Sequence, residues 1–321
     1  MNLKFFFKFY YFLSFLLLIL TVFFLLNNGL LVKKNNRQPE KIIIYNEVGK
    51  EKSTVSLLNN FYNGLNEYRY TKKYKILSCF VHKNMCTVMS ELLCLLDYPK
   101  LYGNDTKITD KSYTNRTCKK VNERNTIDFI HEPNTKPKTK NPWIYLMIIR
   151  NPIDRFISGF LDRCDNDRID TSDPQMCYGC NRSLSCAINK IYQRMSALFF
   201  DKYPLKKNPD DYHFLPQTWR CNLGEQFNLF TFLNYSQPST FYPSLARSLL
   251  KNNVENEVVD RILNDLQFSR TYHATVRSEK RKKVTNALYN DPDLMGLLIG
   301  IYYHDFVTFN FTIPNFNYRI V

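Results

Sequence analysis

Short apolar runs alternate along this chain with segments whose apolar residues recur every three or four positions, the pattern of strands feeding helices. Residues 75–81 (KILSCFV) read as a buried strand, 82–87 as a tight loop and 88–96 as an apolar helix. Residues 144–149 (IYLMII) form a second apolar run of the kind that sits inside a parallel sheet. Behind it Asn151 is a good N-cap, Pro152 suits the first helical position and Asp154 stands at the capping-box spacing, so a helix opens at 152. Residues 187–200 and 254–268 have helical apolar spacing, 227–233 (FNLFTFL) reads as a further strand, and 294–306 as a last helix set off by Asp291-Pro292. Residues 33–72 read as a polar stem and 98–142 as a basic, Asn- and Lys-rich insertion, both loosely packed. No internal repeat is evident. Strands separated by helices predict one α/β domain over 73–321, a parallel sheet flanked by helices.

Residues 9–26 are of another kind. They hold only Tyr, Phe, Leu, Ile, Val, Ser and Thr, about eighteen residues and long enough to cross a bilayer once as a helix. No small-residue cleavage pattern follows, which predicts an uncleaved signal anchor with 1–8 as a short cytoplasmic tail and 27–72 as a stem. Glycosylation sequons at Asn104, Asn115, Asn181, Asn234 and Asn310 all follow the anchor and favour a lumenal carboxyl-terminal domain, a type II topology. Of the nine cysteines, Cys79, Cys86 and Cys94 read as small buried hydrophobes, and Cys118 and Cys221 stand alone. Cys164, Cys177, Cys180 and Cys186 cluster in a polar segment, where disulfides fit better than zinc, with three connectivities open.

The net charge of +15 calls for an anionic partner. Nucleic acid is not expected in a lumenal domain, whereas anionic glycans and a phosphorylated donor are. Two positions could receive phosphates. Lys83 and Thr87 stand at a helix start, where free backbone N–H groups and the positive end of the dipole attract an anion. Nothing matches the glycine-rich loop of a nucleoside-triphosphate site, which counts against a kinase or nucleotidase. Arg150 comes at the carboxyl end of the second strand, where open α/β sheets bind ligands, and Ser158 lies two turns into the following helix. The run 277–283 (RSEKRKK) is either a solvated helix face or an element that closes over an anionic ligand.

These segments resemble those of the Golgi carbohydrate sulfotransferases, in particular the branch related to the chondroitin and HNK-1 sulfotransferases. Lys83-Asn84-Met85-Cys86-Thr87 resembles that family's 5′-phosphosulfate loop, and Arg150-Asn151-Pro152 with Arg155 and Ser158 its 3′-phosphate motif. More loosely, Asp211 to Gln217 with Cys221 beyond is similar to a His-x-x-Pro-Gln segment, and Tyr302 to Phe306 to a terminal Tyr-x-x-Asp-Phe helix. The chain departs from its relatives in carrying His82 where they often have Pro. Coverage runs from about Lys75 to Phe311. The resemblance implies a P-loop-like sulfotransferase fold and transfer of a sulfuryl group from 3′-phosphoadenosine 5′-phosphosulfate to a sugar hydroxyl, without an obligatory metal. Lys83, Asn84, Cys86, Thr87, Arg150 and Ser158 would bind the donor. Lys83 would neutralise the leaving oxygen, and His213 is the candidate base, a role that Asp or Glu could fill instead. The alternative is a lumenal glycan-binding relative without turnover.

Overall fold

The computed structural model describes residues 41–58, 60–61, 65–103, 105–131, 140–166, 176–200, 208–269 and 278–321. The expected anchor over 9–26 and the sequon at Asn104 lie outside them. Among the described residues no helix is long and apolar enough to cross a membrane.

In chain order the strands and helices are β1 (Lys41–Tyr45), β2 (Glu51–Ser56), β3 (Tyr68–Thr71), β4 (Ile76–Cys79), α1 (Cys86–Asp97), β5 (Glu123–Arg124), β6 (Ile144–Ile149), α2 (Pro152–Arg163) and α3 (Leu184–Phe200). There follow α4 (Asp211–Phe214), α5 (Leu223–Gln226), β7 (Phe230–Asn234), α6 (Pro238–Lys251), α7 (Asn256–Phe268), α8 (Glu279–Tyr289), α9 (Pro292–Thr308) and β8 (Tyr318–Ile320). β4, β6 and β7 pair in parallel. Because β6 is buried on both faces, its run is apolar throughout yet still alternates. Leu146 and Ile148 pack with α1, α6 and α7, while Met147 and Ile149 pack with Phe129, Phe230 and Phe309 on the other side.

The sheet is not wholly parallel as expected. Its order is β5-β3-β4-β6-β7, with β3 antiparallel to both β4 and β5. Only Lys72 to Lys75 separates β3 from β4, and a parallel return needs a dozen or more residues; Lys75 turns the corner at φ 51°. A second sheet, β2-β1-β8, is antiparallel, and its β1 and β2 lie in the segment expected as loose stem. Its Ile42, Ile44 and Val55 are buried with Leu298 and Ile299 of α9 and with α2 and α3. α9 approaches β2 closely because position 300 is Gly; a Cβ there would come within 2.6 Å of Val55 Cγ1. The described residues of the insertion up to 131 are likewise tied down, with Tyr102, Ile108, Cys118 and Phe129 buried.

Cysteine usage differs from the expectation as well. Cys79 and Cys94 are not simple buried hydrophobes, and Cys118 and Cys221 are not alone: the pairs are Cys79–Cys221 and Cys94–Cys118. Within the polar cluster the connectivity is Cys164–Cys177 and Cys180–Cys186, leaving Cys86 free. The Cys79–Cys221 bond closes a sequence separation of 142 residues, so by loop entropy its loss should cost about 2 to 5 kcal/mol. Denaturant unfolding of a Cys79→Ser, Cys221→Ser protein reads that cost. Alkylation without reduction should block one cysteine, Cys86, once the chain is unfolded.

Candidate active site

The loop after β4 solves a problem that phosphate loops commonly give to glycine. Lys83 and Met85 both take left-handed backbone angles, φ 70° and 58°, before α1 starts at Cys86. Alternating the sense of the backbone in this way is a known means of shaping an anion-binding concavity, although the Asn84 N–H is already given to the Val81 carbonyl at 3.1 Å. Such angles cost side-chain-bearing residues energy, on the order of 1 kcal/mol or more each, and must be held by their surroundings. The restraint is visible. Asn84, fully buried, donates its Nδ2 to the Ile148 carbonyl at 2.8 Å and to Gln217 Oε1 at 2.6 Å. Its side chain is therefore committed inward and braces the loop, leaving Lys83, Thr87 and backbone amides for a ligand. The Cys86 thiol is held above its usual pKa, by burial against the opposing pull of Lys83.

The second unit behaves as its sequence dictates. Asn151 caps α2, its Oδ1 accepting from Ile153 N at 3.0 Å and Asp154 N at 3.2 Å, with Pro152 in the first turn. Arg150, at the end of β6, donates Nη1 to the Lys83 carbonyl at 2.9 Å. The two units are thus in direct contact. Arg150 is further fixed through Gln217, whose Oε1 accepts from its N–H at 3.0 Å and whose Nε2 donates to its carbonyl at 2.9 Å. Its guanidinium carbon lies 5.7 Å from the centre of the Tyr235 ring. Burial weakens its hold on its proton, an effect that Asp154 opposes. Ser158, half-buried, shares a helix face with Arg155 three residues before it and Asp162 four after it. Arg155 is buried and donates Nε to the His82 carbonyl at 3.1 Å. Both neighbours of Ser158 on that face thus reach the 82–83 turn.

His213 reaches the same place from α4. Its Nδ1 lies 3.3 Å from the Pro209 carbonyl, which fits the tautomer that donates there and leaves Nε2 unprotonated. Nε2 lies 3.8 Å from Asp162 Oδ2, and that oxygen is 3.0 Å from Lys83 Nζ. Burial, then the charges of Lys83 and Arg163, push the imidazole down to about 3, against the pull of Asp162. Burial would raise the Asp162 carboxyl, but Lys83, His213 and Arg163 together hold it below its ordinary range. The approach of α4 to α2 depends on Gly159, where a Cβ would meet the Phe214 ring at 3.0 Å.

The looser sequence matches turn out to be the scaffold of this geometry. Asp305 of α9 accepts from Gln217 N and Thr218 N, both at 2.8 Å, while Tyr302 donates to the Phe214 carbonyl at 2.7 Å. Cys221, bonded to Cys79, clamps the same segment to the end of β4, three residues before His82. Asp162 was missed by sequence reasoning; its one signal is its place four residues after Ser158 on the same face. Glu67 was missed too. It stands with Oε2 3.7 Å from His82 Nδ1 and has no sequence signal, because it comes from the segment read as stem. His82 in turn packs edge-on against His213, ring centres 4.9 Å apart, with Tyr212 at 5.5 Å and Tyr113 at 6.0 Å. Part of the basic run is structural: Arg281 pairs with Asp154 and Lys280 with Asp165, docking α8 on α2.

A family model described as "Sulfotransferase family" matches residues 66–312 of the chain. The chain belongs to the sulfotransferase family. Its relatives include three proteins of Caenorhabditis elegans. It is 32% identical to the putative sulfotransferase vep-2 over 64% of this chain, and spans 64% of that protein's length. It is 30% identical to an uncharacterized protein, over 82% of this chain and 74% of that one. Identity to the carbohydrate sulfotransferase chst-1 is 28%, over 80% and 78% of the two chains. No solved structure matches. The match takes in Lys83, Arg150, Ser158, Asp162 and His213, so the assembled site lies inside the family's shared region.

Proposed function

We propose that this sulfotransferase-family chain is a carbohydrate O-sulfotransferase. It moves a sulfuryl group from 3′-phosphoadenosine 5′-phosphosulfate to a hydroxyl of a glycosaminoglycan, chondroitin-like, or of another anionic glycan. The observation that carries the reading is the Arg150 to Lys83 hydrogen bond. It joins the two segments read as anion-binding, an arrangement that suits a donor bearing phosphates at both the 3′ and 5′ positions better than a simple polyanion. The loop amides, Lys83 and Thr87 would hold the phosphosulfate, and Arg150 with Ser158 the 3′-phosphate.

In the transfer step the acceptor oxygen bonds to sulfur while the bond from sulfur to the bridging oxygen breaks. The electron pair stays on the departing bisphosphate beside Lys83, and the acceptor proton passes to His213 Nε2. Similarity to a protein named carbohydrate sulfotransferase supports a glycan acceptor. Incubating the full chain with donor labelled on sulfur and a panel of desulfated glycosaminoglycans and neutral glycans tests it. Label should enter a glycan; a chain that binds donor and transfers to none of the panel would instead be a binding relative.

The proposed place of action is the Golgi lumen, with residues 9–26 as a type II anchor. Four disulfides suit an oxidising compartment, and Asn115, Asn181 and Asn310 are exposed. In microsomes the bulk of the chain should resist protease and shift in mobility after peptide N-glycosidase; an unglycosylated, protease-accessible product would overturn the placement.

A further inference from the structure

One carboxylate oxygen at the site faces two groups. Asp162 Oδ2 is 3.0 Å from Lys83 Nζ and 3.8 Å from His213 Nε2, so the lysine holds the nearer contact and the imidazole the longer one. Lys83 is also the cation that a phosphosulfate would draw to its bridging oxygen. The other charged groups around α4 and the 82–83 turn are paired elsewhere. Arg163 pairs with Asp210 at 2.6 Å, Arg194 binds Asp211 through Nη2 at 2.6 Å, and His82 faces Glu67. Tyr212 packs its ring at a tilt against His82, and Arg220 donates to the Tyr212 carbonyl. None of these contacts includes Lys83 or Asp162.

We propose that Asp162 couples donor binding to the base: Lys83, drawn to the phosphosulfate, releases the carboxylate to His213, and the imidazole then accepts the acceptor's proton. The coupling rests on the sulfotransferase reading above and deepens it. It answers a difficulty in that reading, since an imidazole buried beside an ammonium that claims the nearest carboxylate is a poor proton acceptor. Moving the ammonium onto an anion removes the repulsion, and the freed carboxylate favours the imidazolium as it forms. The acceptor hydroxyl loses its proton to Nε2 as its oxygen bonds to sulfur, and the departing bisphosphate keeps the electron pair. The order follows: donor first, then acceptor. Asp162 is in these terms a positioning residue, acting through Lys83 and His213.

The test uses the full chain with its five histidines labelled at Cε1, the His213 resonance being assigned by its loss in His213→Gln. The resonance is titrated with pH in the presence and absence of saturating adenosine 3′,5′-bisphosphate. Saturation is established separately by calorimetry. With the bisphosphate bound, the His213 midpoint should move up by about one pH unit or more, the effect of an opposite charge at close range. In Asp162→Asn the bisphosphate should still bind but the midpoint should move by less than half as much. Asp162→Glu, which keeps the charge and guards against a misfolded Asn variant, should restore most of the rise. A His213 resonance that titrates alike with and without bound bisphosphate overturns the coupling and leaves the donor site standing. An equal rise in Asp162→Asn overturns the part assigned to Asp162. Calorimetry showing no binding by the wild-type chain overturns the donor reading and the coupling with it.

Discussion

Replacing His213 by Ala should lower turnover by roughly 10² to 10⁴ while leaving adenosine 3′,5′-bisphosphate affinity and the fold intact, the pattern for losing a general base. The imidazole is held by Pro209 on one side, faces Asp162 on the other and meets the 82–87 loop through its ring contact with His82. Lys83→Ala should behave differently. The side chain stands at the mouth of the loop, 18% exposed, and is needed most as charge gathers on the leaving oxygen. Its loss should therefore depress turnover more than it weakens donor binding, since catalysis follows contacts that strengthen in the transition state. Steady-state rates and calorimetry on the same preparations separate the two. Full turnover in His213→Ala would move the base elsewhere, with Glu67 behind His82 the next carboxylate to test.

Arg150→Ala should weaken bisphosphate binding by about 2 to 4 kcal/mol, the usual cost of removing one member of a buried charge-assisted pair. That is roughly 30- to 1,000-fold in Kd. Two losses combine: the fork that would meet the 3′-phosphate, and the Nη1 bond that holds the Lys83 carbonyl and hence the left-handed turn. Ser158→Ala, which removes one neutral hydroxyl, should cost less, about 1 kcal/mol. Wild-type affinity in a folded Arg150→Ala protein would detach the second unit from the donor.

Much of this site was legible because its parts are local. A strand, a loop and a capped helix leave a signature within fifteen residues, and β6 begins and ends where the apolar run does. The His-x-x-Pro-Gln and Tyr-x-x-Asp-Phe segments were visible as patterns, but their work was not. Asp305 and Gln217 are 88 residues apart and meet only through the packing of α9. The outer sheet was illegible for a different reason. β2 (EKSTVS) buries Val55 alone, so its sequence looks like stem until β1 and α9 supply the other side of the core. Cysteine pairing failed in the same way at long range. The cluster's disulfides span 13 and 6 residues and announced themselves as a group, whereas Cys79 and Cys221 are joined only by the fold. Asp162 combines both difficulties, being placed by a helix face that is readable and by an approach of α4 that is not.

The central claim is that the loop 82–87 and the Arg150 to Ser158 segment form one bisphosphate site, and a crystal structure of the chain with adenosine 3′,5′-bisphosphate tests it most directly. The 5′-phosphate should lie on the amides that follow Lys83, with the 3′-phosphate within hydrogen-bond distance of the Arg150 guanidinium and the Ser158 hydroxyl. A nucleotide seated elsewhere, or one whose 3′-phosphate points away from Arg150, would contradict the account.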